Sequence, residues 1–434
     1  MRDVPLLREV ARLNREQEEW RSRTLNLIAS ENVLSPAARA LLDGDFHHRY
    51  AEGHPGARYY EGTRYIDIIE EKTRLLVQEI FGADRADVRL PSGTMCNEAV
   101  FSALVPRDGV ACSHGVAGGG HISHARFGAL GKHASRILEL PRGTDGFHLD
   151  VPAAKDLIRK ERPSLVVLGR SLFLFPEPIS DLRQVCDDSG TRIVYDGSHV
   201  LGLIAGGQFQ DPLREGADLI TASTHKTFFG PQRGIVVARG KDDAFWKPID
   251  RAVFPGVTSN HHLFTLPALY ATCLEVKEFG REYAKAVVAN ARALARGLDR
   301  RGLIVAAASI GYTCSHQVAV DVGEFGGGRA ASGRLAASGI ITNMNLLPTE
   351  PQGNARNPRG LRLGVQEMTR FGMDEAAMER IASLIQECLA KSQDVSSDTR
   401  RMREEFPSIR YGYSIADLGR ESPGVPLKAS SSQA

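Results

Sequence analysis

Apolar residues recur at helical spacing from the start of the chain. Leu6, Leu7, Val10, Leu13 and Trp20 fall among many charges over residues 5–23, which predicts an amphipathic helix. From about residue 85 to 240 short apolar runs alternate with helical stretches. The runs are Asp87-Val-Arg-Leu90, Gly109-Val-Ala-Cys112, Leu165-Val-Val-Leu168, Arg192-Ile-Val-Tyr195, Asp218-Leu-Ile-Thr221 and Gly234-Ile-Val-Val-Ala238. Most carry few charges, as strands of a sheet covered on both faces should. The alternation predicts an α/β domain with a mostly parallel sheet. A long helix is predicted from about Thr272 to Arg300, ended by Gly302. Strands near 303–308 and 316–322 and an amphipathic helix near 374–391 then predict a smaller α+β domain. The expected division is a helical arm over 1–45, a large domain over 46–275, a small domain with its linking helix over 276–412, and a tail over 413–434, disordered from Ser422.

Composition narrows the class. The 434 residues are 42% hydrophobic and 24% charged, ordinary for a soluble globular protein. The net charge of +2 gives no reason to expect nucleic acid or a membrane as partner. Six scattered cysteines without a Cys-x-x-Cys pair argue against a zinc site or a disulfide framework and fit a reducing cytoplasm. No apolar run approaches membrane-spanning length, and the N-terminus lacks a signal-peptide core. A cytosolic protein without a metal is expected.

The chemistry lies where such a sheet would place it, beyond the carboxyl ends of strands. Ser223-Thr-His-Lys-Thr227 follows a strand and holds Lys226 among hydroxyls and the imidazole of His225. Burial there would lower the amine's pKa and make it a Schiff-base nucleophile, although a surface lysine in a polar turn reads the same way. Pro91-Ser-Gly-Thr94 opens a helix, a phosphate cradle or an ordinary N-cap. Asp196 ends a buried strand and needs a donor. His199 stands three residues on, Ser171 follows another strand, and Gly118-Gly-Gly-His121 could bring His121 onto a flat ligand. A lysine to hold an aldehyde, a phosphate cradle and an aspartate for a pyridinium nitrogen are together what pyridoxal 5'-phosphate requires.

Three ordered motifs then carry a resemblance. Leu27-Ile-Ala-Ser-Glu-Asn32, Tyr50-Ala-Glu-Gly-His-Pro-Gly-Ala-Arg-Tyr-Tyr60 and Thr224-His-Lys-Thr227 resemble the signatures of the serine hydroxymethyltransferases, fold-type I pyridoxal-phosphate enzymes, over about residues 20–412. The resemblance implies an aspartate-aminotransferase-like large domain and residue roles. Lys226 would bond the cofactor, Asp196 pair with its ring nitrogen, and His121 stack on the ring. Ser171 and His199 would meet the ring hydroxyl side, with Thr224 and His225 beside the lysine. Ser92, Gly93 and Thr94 would hold the phosphate, with Tyr50 reaching across from a second subunit of a homodimer or tetramer. Arg362 would fork onto the substrate carboxylate, helped by Tyr60 and Ser30, with Glu52 as acid/base and Asn345 near the transferred carbon.

The chain also departs from that pattern. Val257-Thr-Ser-Asn-His-His262 replaces a glycine-rich run, Val365-Gln-Glu367 replaces Thr-Pro-Ala, and Gly230-Pro-Gln-Arg-Gly234 replaces Gly-Pro-Arg-Gly-Gly. Glu61 stands where glycine is usual, and Arg170-Ser-Leu-Phe-Leu-Phe175 is bulkier and more apolar than usual. His261, His262, Glu98 and Glu367 are candidate linings of an altered pocket. An intact amino-acid half beside a rebuilt folate half resembles the related L-threonine transaldolases. The leading expectation is therefore transfer of a glycyl unit from threonine (or glycine) to a non-folate aldehyde in secondary metabolism. Tetrahydrofolate-dependent hydroxymethyl transfer is the alternative. Decarboxylation, elimination, transamination or a non-catalytic role on the same scaffold stand behind it.

Overall fold

The computed structural model describes residues 3–350 and 355–419. The segment expected to be disordered from Ser422 lies outside the described residues. The central sheet has seven strands: β1 (Arg85–Asp87), β2 (Val110–Ser113), β3 (Arg136–Glu139), β4 (Leu165–Leu168), β5 (Arg192–Asp196), β6 (Leu219–Ser223) and β7 (Gly234–Ala238). Their order is β1-β7-β6-β5-β4-β2-β3, parallel except for β7, which runs antiparallel to both its neighbours. β4 and β6 are buried throughout, which is why β4 is an unbroken apolar run and β6 carries no charge. Both faces are covered. Val167, Val194 and Val236 pack with Val100 and Phe101 on one side, and Val166, Ile193 and Ile235 join the main core on the other.

Two strands differ from expectation. The strand read as Asp87–Leu90 lies at Arg85–Asp87, because the Val88 carbonyl is taken by the Arg233 guanidinium. β3 escaped notice because it is a half-exposed edge with a charge at each end.

Six helices bear on the site: α1 (Val4–Ser22), α2 (Arg64–Phe81), α3 (Gly93–Leu104), α4 (Leu266–Asp299), α5 (Gln366–Arg370) and α6 (Glu375–Ala390). The linking helix α4 has 34 residues and starts earlier than the pattern implied. Pro267 sits in its first turn, where the missing N–H costs nothing. A four-stranded antiparallel sheet follows, with β8 (Ile304–Val305), β9 (Gln317–Asp321), β10 (Asn343–Asn345) and β11 (Gly360–Gly364) in the order β8-β9-β11-β10. A further helix over Ser396–Glu404 was not foreseen; its sequence is almost wholly polar.

Candidate active site

The ends of β5 and β6 and the start of α3 converge. Asp196 closes β5 and is buried. Its Oδ2 accepts from Asn97 Nδ2 at 2.7 Å and lies 3.0 Å from His124 Nε2, while Oδ1 accepts the Ser198 N–H at 3.0 Å. Burial alone would raise this carboxyl; the His124 bond and charge, the His121 charge and the Ser198 bond outweigh it and keep the group ionised. Asn97 is itself held, its Oδ1 accepting from Thr221 Oγ1 at 2.6 Å.

Lys226 stands three residues beyond β6 and is 9% exposed. Burial lowers its amine to about 8, opposed by the Asp196 charge and assisted by that of Arg362. Its carbonyl accepts from Asn32 Nδ2 at 2.8 Å, which ties the 27–32 motif to the lysine loop. His121 is half-buried, with Nδ1 2.7 Å from Ser123 Oγ, and burial lowers its ring to about 4.

At the other side of Lys226, Ser92 caps α3, its hydroxyl accepting the Met95 N–H at 3.2 Å. A Cβ on Gly93 would meet Ser198 Oγ and the Ser223 nitrogen, each at 2.9 Å, so only glycine lets the helix start approach the strand ends. Ser223 Oγ and His225 Nδ1 are buried with no hydrogen-bond partner among the described residues. Ser223 adjoins the start of α3, and an orphaned hydroxyl beside a helix N-terminus suits a phosphate, so these residues fit pyridoxal phosphate.

Arg362 lies on β11 and is 8% exposed. Its Nη1 donates to the Ser171 carbonyl at 2.7 Å, and Nε and Nη2 reach Asn343 Oδ1 at 3.4 Å. Burial lowers it to about 10, and no carboxylate pairs with it among the described residues. A fixed guanidinium facing only neutral oxygens is a receptor for a carboxylate. His199 is buried beside Gln317 and stacks on His316 with ring centroids 5.7 Å apart.

Other expected residues lie elsewhere. Thr224 Oγ1 donates to the Pro231 carbonyl at 2.6 Å and so faces the protein. Thr94 is exposed, Ser30 is half-buried on the 27–32 loop, and Ser171 offers its carbonyl to Arg362. Asn345 Nδ2 donates to the Leu346 carbonyl at 2.6 Å. Tyr50 and Tyr60 are 53% and 43% exposed, with ring centroids 5.4 Å apart, and Glu52 is half-buried between them in sequence. No hydrogen bond or ion pair joins these three to Lys226 within one chain among the described residues. Sequence reasoning missed Asn97, His124 and Gln317, and gave Asn32 no role of its own. Asn32 stood inside the 27–32 signature, and His124 three residues after His121.

Several of the departures occupy the interior, while Glu61, Ser259 and His262 are exposed. Arg233 is fully buried and donates to the carbonyls of Val88, His261 and His262 and to Thr265 Oγ1. Asn260 donates to the Arg49 carbonyl and accepts the Ala51 N–H, and His261 lies 3.0 Å from Glu70. Together with Arg58, bonded to the Ala51 and Gly53 carbonyls and to Asp67 and Glu70, they prop the 50–60 loop. Gln366 Nε2 holds the carbonyls of Ile28 and Glu31, each at 2.7 Å. Glu367 accepts from Asn26, and Glu98 pairs with Lys132 and His133. Arg170 bonds Glu177 and the Gly118 carbonyl, while Leu172, Leu174 and Phe175 pack with Ala319 and Leu347. Of the expected pocket linings, His261 and Glu367 are engaged inside the protein, Glu98 is half-buried and paired at the surface, and His262 is exposed.

A mostly parallel sheet with a lysine, an aspartate and a phosphate cradle at its strand ends defines a fold-type I pyridoxal-phosphate enzyme. A family model for serine hydroxymethyltransferase matches residues 6–385, and the chain belongs to that family. It is similar to serine hydroxymethyltransferases from Sulfolobus acidocaldarius, 44% identical over 96% of this chain and 97% of the relative, and from Pyrococcus horikoshii, 45% identical over 95% and 96%. One from Methanocella arvoryzae is 46% identical over 89% and 92%. Among solved structures, an L-threonine transaldolase from Pseudomonas fluorescens in its internal aldimine state superposes with a TM-score of 0.87 at 28% identity, over 96% of this chain and 95% of that one. Among the described residues no helix is long and apolar enough to cross a membrane.

Proposed function

We propose that the protein is a tetrahydrofolate-dependent serine/glycine hydroxymethyltransferase, the alternative of the sequence reading and not its leading expectation. One observation carries this. Four of the residues that made the folate half look rebuilt are buried struts: Arg233, His261, Gln366 and Glu367 are each 8% exposed or less and bonded within the chain. They brace the 27–32 and 50–60 loops and supply no side-chain surface of their own, so these four departures give no reason to expect a new acceptor. The relatives named as serine hydroxymethyltransferases, at 44–46% identity over most of the chain, support the same reading.

In this reading Arg362 binds the amino-acid carboxylate bidentately and fixes the substrate beside Lys226. Tyr60 and Ser30 assist it. Lys226, lowered to about 8 by burial, is deprotonated in a useful fraction near neutral pH and acts as the amine that bonds the cofactor. Asp196, kept ionised, would hold the proton on the pyridine nitrogen. Bound pyridoxal phosphate supplies the electron sink for the pair released when the Cα–Cβ bond breaks. His121 would stack on the cofactor ring, and Ser171 and His199 would meet its hydroxyl side. Ser92, Gly93, Thr94, Ser223 and His225 hold the phosphate. Glu52 moves a proton at the substrate hydroxyl, and Asn345 lies near the transferred carbon. Tyr50 and Tyr60, exposed on the single chain, and the half-buried Glu52 act in a homodimer that shares its sites.

A second reading keeps the threonine transaldolase. The superposition on such an enzyme over 96% of the chain favours it. The deciding experiment measures glycine formed from serine with tetrahydrofolate, and acetaldehyde released from threonine with added aldehydes. Folate-dependent serine turnover is expected. Aldehyde-stimulated threonine turnover without any folate dependence would replace this reading with the second.

A further inference from the structure

Gln317 opens β9 in the small sheet, is fully buried, and touches the cofactor side of the large domain. Its amide orientation is fixed by its neighbours. Oε1 lies 2.7 Å from the Phe173 nitrogen, and a backbone N–H can only donate. Oε1 is therefore the acceptor there, and Nε2 with its two protons faces the other way. Nε2 lies 3.0 Å from the Ser171 carbonyl and 2.9 Å from His199 Nδ1. The carbonyl can only accept, so one proton goes to Ser171 and the second to His199 Nδ1. His316 does not compete. Its Nε2 is 3.0 Å from the Ala29 carbonyl and must donate there, so its 3.4 Å approach to Gln317 joins two donors and is no bond.

We propose that Gln317 is a positioning residue that fixes His199 as its Nε2–H tautomer, leaving Nε2–H as the only donor the ring can present to the cofactor. A neutral imidazole has one protonated nitrogen, and the bond made by the other decides which. His199 is neutral: burial lowers it far below the ordinary histidine range, and the charges of Lys226 and Arg362 add to that. The same Gln317 amide shares the Ser171 carbonyl with Arg362, so the residue that sets the tautomer also contacts the oxygen holding the carboxylate receptor. Nothing local in the sequence signals this, because Gln317 belongs to a strand some 118 residues away from its histidine.

The inference rests on the pyridoxal-phosphate site and not on the choice of carbon acceptor, so it can fail while the hydroxymethyltransferase reading stands. It is tested by nitrogen NMR of the 15N-histidine-labelled protein, with and without pyridoxal phosphate. The His199 signals are assigned by their loss in His199→Asn or by their long-range couplings. Expected is a pyridine-like Nδ1 and a pyrrole-like Nε2 already in the cofactor-free protein. A protonated Nδ1 in the wild type would overturn the proposal without any variant having to fold. In Gln317→Glu the carboxylate accepts where the amide donated, and the proton should move to Nδ1. In Gln317→Met, which keeps length but offers no donor, the tautomer preference should weaken and kcat fall roughly tenfold or more, as when a group orienting a reactive ligand is lost. KM for serine should move far less, since Arg362 remains. An unchanged tautomer in the glutamate variant would also overturn the proposal.

Discussion

Arg362 faces the Ser171 carbonyl and the Asn343 amide oxygen, neither of which carries charge. A substrate carboxylate would supply the missing charge through two charge-assisted bonds. Arg362→Ala should therefore weaken amino-acid binding by about 3 kcal/mol, roughly a hundredfold in Kd, while the cofactor still binds. Titrating the cofactor absorbance with glycine measures this, and undiminished glycine affinity would refute the assignment. As candidates, residues of this kind were legible in the sequence: Lys226 stands in a signature, Asp196 at a strand end, and Arg362, in the middle of β11, was singled out by the family resemblance. Asn97, His124 and Gln317 were not. Asn97 is one of several polar positions on α3, and its partners Thr221 and Asp196 come from two different strands. Only the assembled sheet brings such partners within 3 Å of one another.

At the level of elements, the alternation of apolar runs revealed the central strands, which are buried on both faces. It failed for the exposed edge β3 and for the polar helix over 396–404, whose residues do not have to be apolar. The departures from the family pattern were legible as differences but not as struts, since their partners lie up to several hundred residues away. α5 shows the consequence. Burial raises Glu367 to about 7 and the Glu31 charge adds to this, while the Asn26 bond and the Arg21 and Arg403 charges oppose it. A carboxyl whose folded pKa lies above its unfolded value stabilises fully below the unfolded value, near 4.5, and loses that contribution as pH rises through about 7. Glu367→Gln should thus be close to neutral at pH 5 and more stable than wild type at pH 8, by up to about 3 kcal/mol. Denaturant melts at the two pH values check it; equal effects at both would show that Glu367 is ionised throughout.

At the scale of the whole molecule, α1 is the outlier. None of its residues is buried, and Leu6, Leu7, Val10 and Leu13 are 50–69% exposed. An amphipathic helix with its apolar face in water calls for a partner, and with the exposed Tyr50 and Tyr60 a second copy is the one we propose. Leu7→Glu with Val10→Glu should lower the mass seen by light scattering from two chains toward one, and activity with it. An unchanged mass would place the dimer contact elsewhere. The buried charge of Arg362 carries a last consequence for how such a protein can change over generations. Holding a desolvated guanidinium without a counter-charge makes the ligand-free chain less stable than its fold allows. Substitutions there that harden the protein against heat are the ones that disable it. Selection for robustness alone would therefore drift toward inert variants, and only continued demand for the reaction keeps the arginine in place.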